Sequence, residues 1–219
     1  MSVISVLENL RSELPANVKL VAVSKFHPVQ VLEEAYGAGQ RVFGENRPQE
    51  FASKVPQMPS DVEWHFIGHL QTNKLKFVLP YANMVESVDS MHLLRAIDSW
   101  CGQAGTVMNI LLELHLGAEE TKHGFTGDEI EAILDDNGGY PHVRICGLMG
   151  MATHTSDVNA VRADFEKISG FKKKMEKAHP ELTDFKELSI GMSGDYEIAL
   201  EYGSTIVRIG TKIFGPREY

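Results

Sequence analysis

The 219-residue chain has only two cysteines, Cys101 and Cys146, neither in a CxxC pair and both in apolar surroundings. A disulfide framework therefore has no basis, and a reducing, cytoplasmic setting is expected. No uninterrupted apolar run approaches the roughly 20 residues that a membrane-spanning helix needs. The amino terminus opens directly on a polar-faced helix pattern, so no targeting leader is expected. Basic side chains are scarce: 21 Lys and Arg stand against 30 Asp and Glu, a formal charge of -9. A surface built to neutralise a phosphate backbone, and with it general nucleic-acid binding, is not expected. Also missing are a Pro/Gly/Ser-rich linker, a low-complexity tract and a glycine-rich GxGxxG turn after the first apolar run. What is present is an ordinary soluble composition, 43% hydrophobic and 23% charged, long enough to bury a core without staples.

Short β-branched apolar runs alternate with helical patterns throughout, as in a parallel sheet with crossover helices. Ser2 to Leu14 places Ile4, Leu7, Leu10 and Leu14 on one helical face, and Pro15 ends it. Leu20 to Val23 then reads as a buried strand, followed by a helix over Pro28 to Tyr36 with Gly37 and Gly39 behind it. Further strands are expected at Arg41 to Phe43, Glu63 to Ile67, Met84 to Val88, Val107 to Leu114, Val143 to Met149, Phe185 to Ile190 and Thr205 to Ile209. Helices are expected over Gln49 to Val55, Gln71 to Leu79, Met91 to Gln103, Asp128 to Asn137, Val158 to Ala178 and Asp195 to Tyr202. About eight such units in this length point to an α/β protein with a single (β/α)8 TIM barrel spanning residues 1–219. A doubly wound open sheet would alternate too, but polar residues gather after nearly every strand rather than at one switch point. The lysine run Lys172 to Lys174, among Asp164, Glu166 and Glu176, reads as a solvated helix face.

In such a barrel the chemistry sits at the carboxyl ends of the strands. Lys25 follows the first strand directly, beside apolar walls where desolvation favours the neutral amine suited to Schiff-base chemistry. A strand-terminal lysine pointing to water is the plainer alternative. The segment Ser189 to Glu197 ends the seventh strand, turns through Gly191 and Gly194 and opens a helix that Ser193 is placed to cap. The eighth strand ends in Arg208, Gly210 and Thr211. Each glycine alone is ordinary turn geometry, but loops after strands seven and eight are the recurrent phosphate site of these barrels. A lysine facing a phosphate cradle matches what pyridoxal 5′-phosphate requires, with Arg208 on the cradle side as a partner for the pyridine nitrogen. Asn46 and His65 fall just past strands two and three and are candidates to line the cofactor ring, as are Met149 and Met151; a structural histidine and core methionines are the alternatives. His65 and His69 are four apart, but Gly68 separates a strand end from a helix start there, so no metal pair is expected. Cys101 and Cys146 read as small buried apolar residues.

The stretches Ala22 to Pro28 around Lys25, Phe43 to Glu50, Trp64 to Lys74, Gly147 to Met151 and Ser189 to Gly215 together resemble the pyridoxal phosphate homeostasis protein family, the YggS/PROSC-like proteins. The resemblance runs over essentially the whole chain. It implies a fold like the alanine racemase N-terminal barrel, with Lys25 carrying the cofactor, Ser193, Gly210 and Thr211 near its phosphate, and Arg208 near the ring nitrogen; Ser189, which opens the closing segment, is counted with the cofactor-binding residues. Gly194 departs from the pattern, where a larger polar residue is expected.

Two functions follow. One is a carrier that stores pyridoxal phosphate reversibly through a lysine Schiff base and delivers it to apo-enzymes. The other is a racemase-like enzyme, which needs acid and base groups on opposite faces of the substrate α-carbon. The related alanine racemases bring one of these from an extra β domain and a partner subunit, for which a chain stopping at Tyr219 leaves no room. An Arg208 partner also leaves the ring a weak electron sink. The carrier reading is therefore preferred, as a monomer without nucleic-acid or membrane partners. A cofactor-free lysine aldolase would not explain the cradle and Arg208 together.

Overall fold

A computed structural model describes residues 2–116, 124–136 and 139–216. Asn137, the expected end of the sixth helix, and Lys122 lie outside the described residues. The elements alternate from α1 (Val3–Glu13) and β1 (Lys19–Val23) through α2 (Val29–Gly37), β2 (Val42–Glu45), α3 (Pro48–Lys54), β3 (Glu63–Phe66), α4 (Leu75–Val78) and β4 (Met84–Val88). They continue with α5 (Met91–Ala104), β5 (Met108–Glu113), α6 (Gly127–Asp135), β6 (Val143–Met149), α7 (Val158–Ala178), β7 (Glu187–Met192), α8 (Tyr196–Glu201), β8 (Ile206–Ile209) and α9 (Thr211–Phe214). The eight strands close in sequence order into a parallel barrel, the last pairing the first through Lys19 to Ile206 and Val21 to Arg208. This is the (β/α)8 barrel that the alternating pattern predicts.

Local chemistry sets the boundaries. Ser2 caps α1 by accepting from the Ser5 N–H, Ser90 does the same for α5 through Leu93, and Thr126 and Glu129 form a reciprocal capping box on α6. The expected helix over Gln71 to Leu79 is shorter: a 3₁₀ turn at Thr72–Lys74 leads into the four residues of α4. Lys172 is a correction to the solvated-face reading of the lysine run. It is buried, with its amine 2.5 Å from Glu176 one turn on. Gly147 is required where β6 pairs with β7, because at φ 151 a Cβ would lie 1.9 Å from the Glu187 carbonyl oxygen.

Strand alternation divides the core in two. Outward residues such as Phe43, Trp64, Phe66, Ile110, Leu112, Leu188 and Val207 pack under the helices. Inside the barrel, Val21, Val23, Met84, Leu111, Cys146, Met149 and Ile206 form a second apolar cluster. The same inward alternation carries Glu63, His65, Glu86, Glu113, Ser189 and Arg208, so the barrel interior is part apolar and part ionic. Both cysteines are free and buried, and burial pushes the Cys146 thiol up to about 11. No helix among the described residues is long and apolar enough to cross a membrane.

Candidate functional site

Lys25 lies two residues past β1, and the turn that presents it is clamped from behind. The Lys54 amine, buried under α3, donates to the Ser24 carbonyl (2.8 Å), Glu45 Oε1 (2.7 Å) and Glu50 Oε1 (2.6 Å). The Ser24 hydroxyl donates to the same Glu45 oxygen at 2.6 Å. Burial pushes the Glu45 carboxyl up, and the Lys54 charge opposes that rise. Phe26 takes a left-handed φ of 69°, strained for a residue with a bulky side chain. It is held there by its N–H donating to Glu50 Oε1 at 2.7 Å and by the Arg47 guanidinium 4.3 Å above its ring.

Across the mouth, Gly191 (φ 95) makes the turn out of β7, where a Cβ would sit 2.7 Å from that of Ala199. Ser193 does not cap α8 as expected. Asp195 occupies the cap position and accepts from the Met192 N–H at 2.5 Å, while the Ser193 hydroxyl accepts from the N–H groups of Gly210 and Lys212 at 3.3 Å each. It thereby ties the loop after β7 to the start of α9. A Cβ at Gly194 would meet nothing within 4 Å, so a larger residue fits there without rearrangement. Lys25, Ser193, Arg208, Gly210 and Thr211 all line one cavity of about 570 Å³, together with His27, Met151, His154, Met192 and Asp195.

Beneath that cavity an ionic chain crosses the barrel. Arg208 donates from Nη1 to the Ser189 carbonyl (2.8 Å) and hydroxyl (2.5 Å), and from Nη2 to the Gly150 carbonyl (3.0 Å). The Ser189 hydroxyl donates to Glu86 Oε2 at 2.5 Å. His65 then bridges Glu86 (Nδ1, 2.5 Å) and Glu63 (Nε2, 3.0 Å), and Lys19 reaches Glu63 at 2.5 Å. Burial works against charge on His65, but its hydrogen bonds to Glu63 and Glu86 outweigh that and raise its pKa. The His65 hydrogen bond holds Glu63 down to about 2, and Glu86 is lowered despite its burial. Burial lowers Arg208, countered by the charges of Glu86, Glu113 and Asp195. Glu113, 8% exposed at the end of β5, has no hydrogen bond to its carboxylate among the described residues, and burial with repulsion from Asp89 pushes it up to about 7.

Of the nine residues expected at the site, five therefore meet in the cavity and four do not line it. His65 is fully buried with both ring nitrogens on carboxylates, and Ser189 is a link in the chain below. Met149 is inner core, and Met151 takes the exposed position on the cavity wall. Asn46 backs onto Gly68, its Oδ1 buried without a hydrogen-bond partner among the described residues. His69 pairs with Asp89 at 2.7 Å, away from His65's carboxylates. Among competing lysines, Lys212 is turned to the Tyr196 hydroxyl at 2.6 Å and Lys74 packs by Phe77. Glu86 and Glu113 are absent from the sequence expectations. Their signal is a charge on the inward phase of an apolar strand.

A sequence model of the alanine racemase N-terminal domain matches residues 5–218. The pyridoxal phosphate homeostasis protein of Schizosaccharomyces pombe is 39% identical, over 97% of this chain and 92% of its own length. Its human counterpart by name is 39% identical over 94% and 80%. Among solved structures, PipY of Synechococcus elongatus without PLP superposes with a TM-score of 0.91 at 35% identity, covering 98% of this chain and all of its own; PipY with PLP bound gives 0.90. Alanine racemase of Bartonella henselae, at 14% identity and a TM-score of 0.73, shares the fold.

Proposed function

The chain belongs to the alanine racemase N-terminal domain family and, within it, to the pyridoxal phosphate homeostasis proteins, and on that premise we propose that it binds pyridoxal 5′-phosphate reversibly and manages its supply rather than turning over amino acids. The observation that carries this reading is the single cavity into which Lys25, Arg208, Ser193 and Thr211 converge. The donor set fits the cofactor: a primary amine on one wall, a guanidinium on the floor, and hydroxyls with a glycine backbone opposite. When bound, the cofactor supplies an aldehyde that condenses with an amine and a phosphate that anchors it. Lys25 is the amine, aimed by the Ser24–Lys54–Glu45 clamp. Ser193 and Thr211 hold the phosphate end, in a loop pair already drawn together by the Ser193 hydroxyl. Arg208 has two nitrogens engaged by the barrel, while its Nε–H has no acceptor among the described residues and is available to a ring nitrogen. A guanidinium in that place donates a hydrogen bond without handing over its proton, so it holds the ring in place without making it a strong electron sink.

Reduction of the loaded protein with borohydride, followed by peptide mapping, tests the assignment. The adduct is expected on Lys25, with Lys25→Ala losing the visible absorbance while keeping its circular dichroism. Label on Lys74, Lys122 or Lys212 instead would overturn it. Pyridoxal without its phosphate is expected to bind at least tenfold more weakly, since each charged hydrogen bond contributes about 1.5–3 kcal/mol.

A further inference from the structure

Three groups in the ionic chain below the cavity, Lys19, Glu63 and His65, touch no part of the proposed cofactor site, and Glu86 joins them to it through Ser189 and Arg208. Ionic pairs in a barrel interior are costly to desolvate, and apolar residues of similar size would fill the space at least as stably. Their arrangement is directional. The Ser189 hydroxyl has one hydrogen and gives it to Glu86 Oε2, so Ser189 Oγ is left to accept the Arg208 Nη1–H. Glu86 Oε1 faces His65 Nδ1, whose other nitrogen faces Glu63. With both carboxylates ionised, His65 donates from both nitrogens, and the charges alternate from Lys19 to Arg208. Glu86 Oε2 also stands 3.8 Å from Arg208 Nη1.

We propose that Glu86 is a positioning residue for the cofactor ring: through Ser189 and its charge it aligns the Arg208 guanidinium so that the Nε–H meets the ring nitrogen, and His65 holds its other oxygen in place. This rests on the carrier reading above. Replacing the carboxylate by an amide removes the counter-charge and forces a donor toward either His65 or the Ser189 hydroxyl. The guanidinium keeps its bonds to the Ser189 and Gly150 carbonyls but loses the counter-charge and the ordered Ser189 hydroxyl that complete its alignment, while Lys25 and the phosphate loops keep theirs.

The test compares pyridoxal phosphate with its 1-deaza analogue, in which CH replaces the ring nitrogen. Wild type is expected to prefer the natural cofactor by about tenfold, the worth of one charged hydrogen bond. E86Q is expected to lose most of that preference, with affinity for the analogue nearly unchanged and the absorbance of bound cofactor shifted. Equal weakening toward both ligands, or an unchanged preference in E86Q, would overturn the proposal. Should E86Q fail to fold, Ser189→Ala cuts the same link by removing one hydroxyl; it must reduce the preference, and an unchanged ratio there overturns the proposal equally. If wild type binds neither ligand, the carrier reading itself fails, which is a distinct result.

Discussion

A carboxyl buried inside a barrel and left without a hydrogen-bond donor among the described residues should dislike high pH, and Glu113 is such a group. Its ordinary pKa is near 4.5; burial first, and the Asp89 charge second, raise it to about 7 in the folded state. The sign follows from linkage: a raised acid favours the fold while protonated, so its contribution is complete below about pH 4.5 and is lost as pH rises through about 7. Glu113→Gln removes the penalty. Urea unfolding is expected to show the variant more stable than wild type at pH 8, by up to about 3 kcal/mol, and no different near pH 4. An equal difference at both values would show that the side chain does not ionise with the fold. Lys25 and Arg208 are legible as cavity-lining residues because strand-end position and residue type coincide. His65 and Met149 point into the barrel below the cavity and Asn46 backs onto Gly68, and no spacing in the chain distinguishes which of these residues reaches the cavity itself.

The turn between β1 and α2 depends on α3, although the two meet only through side chains. Lys54 is 5% exposed and donates three hydrogen bonds, two of them to carboxylates that would otherwise be uncompensated. Lys54→Met is expected to destabilise the protein by about 3–5 kcal/mol, the usual result of breaking a buried ion pair from one side. Adding Glu45→Leu to it is expected to recover part of the loss. Both are read from denaturant midpoints, and a Lys54→Met variant as stable as wild type would remove the clamp from the account. The same element shows why some boundaries are hidden in the sequence. The second strand is expected to end at Phe43 and runs on to Glu45, because a charge breaks an apolar pattern on paper and Lys54 supplies what lets it be buried. By contrast β4, β6 and α7 have the expected limits. The helix α9 escapes a sequence reading because four residues are too few to show a period.

For the molecule as a whole, the proposed carrier function separates binding from turnover. A condensed amine does not by itself select which bond at an α-carbon breaks; that needs acid and base groups on both faces of the bound substrate and withdrawal of electrons into a protonated ring. Arg208 is committed to the barrel floor as a donor and does not supply that proton. Incubation of the loaded protein with L- and D-amino acids in deuterium oxide is therefore expected to give no multiple-turnover α-proton exchange, while mixing with an apo-enzyme activates the latter. Sustained racemisation that disappears in Lys25→Ala would reverse this conclusion. The barrel closes by pairing its first strand with its last, so the lysine and its anchoring partners come from opposite ends of the synthesis order. A nascent chain still missing β8 presents Lys25 with neither Arg208 nor Thr211 beside it. Such long-range closure is among the slower steps a fold can require. On the proposed assignment of Lys25, Arg208 and Thr211, the cofactor is expected to be captured only by finished molecules, and ribosome-bound fragments are not expected to compete for it.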